Sequence, residues 1–102
     1  MPKKFHKTKP IVSLSDFLQK ATLVKNFASS SGKKYQVTKI ENCEMFFKRL
    51  DANAEYEWQM NMQKVHQAYI ELDDFVTKNF KPYVPITHSP ARGLLLHLGL
   101  LE

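Results

Sequence analysis

The sequence predicts an all-α fold: a small bundle of three or four helices around one long central helix, about 54–80, with a flexible basic N-terminal arm. Three observations predict it. A chain of 102 residues with 43% hydrophobic content is enough for one modest core. Trp58, Met62, Val65, Tyr69, Leu72 and Val76 repeat at spacings of 4, 3, 4, 3 and 4, an unbroken heptad seam. No proline or glycine lies between Asn53 and Phe80, so nothing in that span forces a helix to stop. Such a helix would run roughly 40 Å at 1.5 Å per residue, about the width of the domain, which makes it the spine.

Residues 1–10 combine two prolines and four lysines with little apolar content and are expected to form a disordered arm, leaving 11–102 as a single helical domain. Ser13-Leu14-Ser15-Asp16 reads as a capping box. Behind it Leu14, Phe17, Leu18, Ala21, Val24 and Phe27 form one apolar stripe, predicting a helix over 14–27 that ends at Ser29-Ser30-Ser31-Gly32. Tyr35 and Val37 alternate with polar neighbours, as a strand would, but Ile40, Cys43, Phe47 and Leu50 return to helical spacing. A helix from about Thr38 is therefore preferred, and the β alternative is a two-stranded pairing of 35–39 with 83–87. Lys81-Pro82 closes the long helix. Pro82–Thr87 is extended between its prolines. Ser89-Pro90 then restarts a helix, serine as cap and proline in the first turn, whose Leu94, Leu95, Leu96, Leu98, Leu100 and Leu101 are apolar on nearly every side. Gly93 and Gly99 should weaken it.

Catalytic readings fail in turn. Ser31-Gly32-Lys33-Lys34 resembles a phosphate-binding loop, but Phe27 stands where its first glycine belongs and Lys34 replaces the hydroxyl residue. His6, His66, His88 and His97 contain no pair at the spacing that puts two imidazoles on one helical face. Cys43 continues an apolar stripe and reads as an inert thiol. No catalytic residue, metal site, cofactor or small-molecule substrate is expected. The single cysteine points to a reducing, cytoplasmic or otherwise intracellular setting, and the absence of a long apolar run argues against a leader or a membrane span.

Charge is where function is expected. The net charge of +5 hides nine lysines against Asp16 in residues 1–39, followed by an acid-rich stretch over 40–74. Lys3, Lys4, Lys7 and Lys9, joined by Lys33, Lys34 and Lys39, are expected to neutralise phosphates. Contact with a protein partner or a second copy of the chain is expected through Trp58, Met62, Val65, Tyr69, Leu72 and Val76, and through Leu94, Leu95, Leu98 and Leu101. The sequence thus predicts a non-catalytic helical accessory protein of a nucleoprotein assembly. The alternative is a protein-only module (inhibitor, adaptor or small chaperone) using the leucine-rich end and the acidic middle.

Overall fold

The computed structural model describes residues 5–9, 11–29, 32–50 and 57–102. Their order is α1 (Leu14–Thr22), β1 (Asn26–Ala28), β2 (Lys34–Glu41), β3 (Glu44–Arg49), β4 (Glu57–Asn61), α2 (Met62–Glu71), α3 (Thr77–Phe80) and α4 (His88–His97). The strands form one antiparallel sheet in the order β1-β2-β3-β4. The fold is α+β, which corrects the all-α helical bundle expected from the sequence.

Each correction has a local cause. α1 begins as expected, with the Ser13 hydroxyl accepting from the Asp16 N–H, but it stops at Thr22. There the Thr22 hydroxyl bonds the Gln19 carbonyl and the Leu23 and Val24 amides bond back only three residues, tightening the last turn. Val24 and Phe27, read as the end of the helical stripe, are buried by the linker and β1 instead.

The helix expected from Thr38 is a β-hairpin. β2 pairs with β3 in one register from Tyr35 to Val37 and in another from Lys39 to Glu41, so Thr38 is the extra residue of a bulge. The bulge moves the core-facing series from Tyr35 and Val37 to Ile40, a step of three rather than two. That step imitates helical spacing. Asn42 and Cys43 turn the chain with φ of 53° and 62°, the positive values that a two-residue hairpin turn requires. The alternative pairing of 35–39 with 83–87 is not formed, since β2 already has β1 on one side and β3 on the other.

The expected spine is also broken. Its first part, 54–56, lies outside the described residues, Glu57–Asn61 is the edge strand β4, and the rest divides into α2 and α3. Asn61 makes the break: its side chain accepts from the Lys64 N–H, capping α2 at the point where the strand ends. Met62, Val65, Ala68 and Tyr69 then form the buried face of α2. Leu72 leaves the helix in extended geometry, and Phe75, not Val76, enters the core.

Helices α2 and α4 pack on one side of the sheet, α2 against β3 and β4 and α4 against β1, while α1 packs on α2. Phe27, Tyr35, Met45, Phe47 and Met60 from the sheet meet Phe17, Val65, Tyr69, Phe80, Leu94 and Leu95 in a single core. α4 begins two residues earlier than expected, with Thr87 rather than Ser89 at its cap position. Gly99 ends it: with φ at 75° it lets the Gly99 and Leu100 amides bond the Leu96 and Leu95 carbonyls, a left-handed stop.

Of the expected free arm, residues 1–4 and Pro10 lie outside the described residues. His6 and Glu102 exchange backbone hydrogen bonds of 2.8 and 2.9 Å, and the Thr8 amide donates to the Leu100 carbonyl, so residues 6–8 run antiparallel to the C-terminus.

Candidate functional site

The antiparallel register of β2 and β3 gathers cations that are distant in sequence. Tyr35 lies opposite Arg49 and Gln36 opposite Lys48, while the Leu50 amide donates to the Lys34 carbonyl at 2.9 Å. Lys34 at the start of β2, with Lys33 just before it, therefore stands at the same end of the hairpin as Lys48 and Arg49 at the end of β3. Four cationic residues are gathered at the open end of one hairpin, two on each side of the sheet. Glu41 and Glu44 face each other at its closed end, so the hairpin is electrostatically polar along its length.

Alternation along the strands sends these cations to two sides. Lys34, Gln36 and Lys48 point to the solvent side of the sheet, and the Thr38 bulge brings Lys39 to that same side, opposite Phe46. The Lys39 ammonium lies 4.6 Å from the Phe46 ring centre and 3.5 Å from the Glu41 carboxylate. The Thr38 hydroxyl stands 2.7 Å from the Glu57 carboxylate and 3.0 Å from the Phe46 carbonyl, which anchors the bulge across the sheet.

Lys33 and Arg49 take the other side, at the margin of the core. With Trp58 from β4 they rim a recess of about 160 Å³ whose wall includes the buried Tyr35, and Ile86 and Ser89 close it from the α4 side. Tyr35 is held by Phe27 at 5.2 Å and by Phe47 at 5.4 Å between ring centres, so the aromatic wall of the recess is fixed from behind.

The remaining lysines are placed elsewhere. Lys3 and Lys4 lie outside the described residues. Lys7 donates to the Ile70 carbonyl at 2.9 Å and lies 5.7 Å and 5.9 Å from the Tyr69 and Phe75 ring centres. Lys9 is exposed but tied through its backbone to the Tyr69 hydroxyl. Of the seven lysines singled out in the sequence, Lys33 and Lys34 stand at the hairpin's open end and Lys39 farther along the same strand. Lys48 and Arg49 were missed because they fall in the acid-rich stretch. The signal that could have found them is Asn42, a residue suited to a hairpin turn between two alternating runs.

Among the expected interface residues, Met62, Val65, Tyr69, Leu94, Leu95 and Leu101 are buried in the chain's own core. Trp58, Leu72 and Leu98 are half-buried against it, and Val76 is 37% exposed. The most exposed large apolar side chains are instead Ile11 at 90% and Leu23 at 83%, two residues that the hydrophobic pattern did not single out. They flank an open groove of about 590 Å³ before and after α1, bordered by Lys9, Asp16 and Lys20.

His66 and His88 serve the backbone, at 2.6 Å from the Val12 carbonyl and 3.0 Å from the Pro85 carbonyl. Cys43 sits half-buried in the hairpin turn rather than on a helical stripe. Among the described residues no three His, Cys, Asp or Glu side chains come together as metal ligands. None of the described helices is long and apolar enough to cross a membrane. No protein-family model, curated protein or solved structure matches this chain.

Proposed function

We propose that this is a non-catalytic accessory protein of an intracellular nucleoprotein assembly, meeting nucleic acid at the open end of the β2–β3 hairpin. The observation that carries the reading is the register that sets Lys33 and Lys34 at the same end of the hairpin as Lys48 and Arg49. A compact group of cations on a rigid sheet raises the local concentration of a polyanion without demanding a sequence. It also moves the centre of the interaction from the N-terminal lysines to the sheet, with Lys39 extending the surface along β2.

The test is binding of a fluorescent oligonucleotide at several salt concentrations. Four phosphate contacts on a single strand predict a log–log salt slope of about −3, at about −0.7 per contact. Lys34→Glu combined with Lys48→Glu should weaken binding at least tenfold and flatten the slope, whereas Lys9→Glu should change both far less. Equal losses from the two variants would refute the hairpin as the contact surface, and no binding at low salt would refute the reading.

A second reading has its own observation. The exposure of Ile11 and Leu23 suits contact with a protein partner or another copy of the chain. The leucine-rich end no longer suits that role, because most of its leucines are core. If this surface operates, Ile11→Ser with Leu23→Ser should reduce the apparent size of the purified protein on a sizing column.

A further inference from the structure

We propose that the recess beside Trp58 receives one unstacked base of a single-stranded nucleic acid, an inference that rests on the reading above and specifies its ligand. Its volume of about 160 Å³ is below the ~300–1,000 Å³ of sites that enclose a whole small molecule. The recess therefore fits one group of a larger ligand, whose remainder lies outside. Its chemistry says which group. Trp58, half-buried at the rim, offers aromatic surface on which any base can stack because every base has a π-face, and the buried Tyr35 forms the wall behind it. Lys33 and Arg49 stand at the rim, and Lys34 and Lys48 lie just across the strands on the solvent side. A chain of phosphates passing over the end of the hairpin would meet cations on either side of the recess while handing one base into it. A base inside a duplex is stacked on both faces and paired along its edge, so it cannot enter. Single strands are selected by the shape of the site rather than by its charge.

The chain has one tryptophan, so its intrinsic emission reports on this site alone. Titrations of the intact protein with oligodeoxythymidylate, with a duplex of equal length and with heparin, each followed by Trp58 emission and by an independent binding measurement, separate stacking from charge. The single strand is expected to quench Trp58 and to bind about tenfold more tightly than the duplex, while heparin binds and leaves the emission nearly unchanged. Trp58→Leu should cost about tenfold for the single strand, near the loss of one stacked base, and leave heparin binding intact; Trp58→Phe should restore most of it. Single-strand binding without quenching, or equal quenching by duplex or heparin, would overturn the base-recess assignment while leaving the cationic surface standing. Failure of all three polyanions to bind would overturn the parent reading and this inference together. The quenching measurement on the unaltered chain decides the matter even where Trp58→Leu fails to fold.

Discussion

Gly93 of α4 and Ala28 of β1 approach so closely that a β-carbon built on Gly93 would lie 2.5 Å from the Ala28 carbonyl oxygen. The same atom would lie 2.7 Å from the Ser29 α-carbon, so helix and strand touch backbone to backbone. Two effects oppose each other in Gly93→Ala. Alanine favours an isolated helix over glycine by about 1 kcal/mol. Overpacking a rigid contact costs about 1–3 kcal/mol, and here the obstacle is main chain that cannot rotate away. Sterics should win. Urea unfolding is expected to show a net loss of about 1–2 kcal/mol, and a stabilised variant would show that α4 can withdraw from β1 without cost.

The hairpin turn carries a strain that can be relieved. Cys43 holds φ at 62°, a conformation that costs an L-residue about 1–2 kcal/mol and a glycine almost nothing. Glycine adds unfolded-state entropy worth about 0.5–1 kcal/mol against folding. Cys43→Gly should therefore raise stability by about 0.5–1 kcal/mol, read as a higher melting temperature. Asn42→Ala, which puts a less tolerant residue at φ of 53°, should lower it. A fall in melting temperature for Cys43→Gly would mean that the half-buried thiol packs better than the turn strain suggests.

What could be read from the sequence depended on whether a residue's local signal and its tertiary role coincided. Ser13 and Asp16 define the start of α1 by contacts three residues apart, and that start was legible. The seam from Trp58 to Val76 was misleading because a strand and a helix joined at Asn61 happen to keep one phase: Met62, Val65 and Tyr69 share the buried face of α2, whereas Trp58 belongs to β4. Asparagine in the middle of an apolar repeat was the available warning. The spacing of Ile40, Cys43 and Phe47 was misread because it straddles a hairpin: Ile40 lies near the end of β2, Cys43 in the turn and Phe47 on β3. The basic group was half legible: Lys33 and Lys34 stood out by their neighbours, but Lys48 and Arg49 join them through strand register, which composition does not encode.

Tyr69 ties both ends of the chain to the core. Its hydroxyl lies 2.6 Å from the Lys9 carbonyl, to which it donates, accepts from the Lys9 amide at 3.2 Å, and lies 3.0 Å from the Leu100 carbonyl. Tyr69→Phe keeps the buried ring and removes these contacts, so a loss of about 1–2 kcal/mol is expected. Burial raises the phenol above its ordinary value of 10.0, outweighing the hydrogen bonds that favour the phenolate. A raised folded-state value means that the stabilisation is complete below pH 10 and is lost as pH rises through the folded value. Chemical unfolding at pH 8 and above pH 10 should therefore show the difference between wild type and Tyr69→Phe shrinking on the alkaline side. A constant difference would place the hydroxyl's contribution outside its ionisation.

The acid side is expected to show the opposite sign at Glu71. The Gln67 amide donates to its carboxylate at 3.0 Å and the Tyr83 hydroxyl at 2.8 Å, joining α2 to the segment that follows α3. These bonds, Gln67 first and Tyr83 second, hold Glu71 below its ordinary value of 4.5, with a smaller attraction from Lys64. A depressed folded-state value contributes stability that is present above pH 4.5 and disappears as pH falls through the folded value. The group is solvated, so the effect should be small. Melting temperatures of wild type and Glu71→Gln, compared at neutral pH and in steps below pH 4.5, should differ modestly at neutrality and converge in acid. Tyr83→Phe should behave in the same way, because it removes one of the two donors that keep the carboxylate ionised. Curves that stay parallel down to the acid limit would show that Glu71 links α2 to this segment by packing and not by charge.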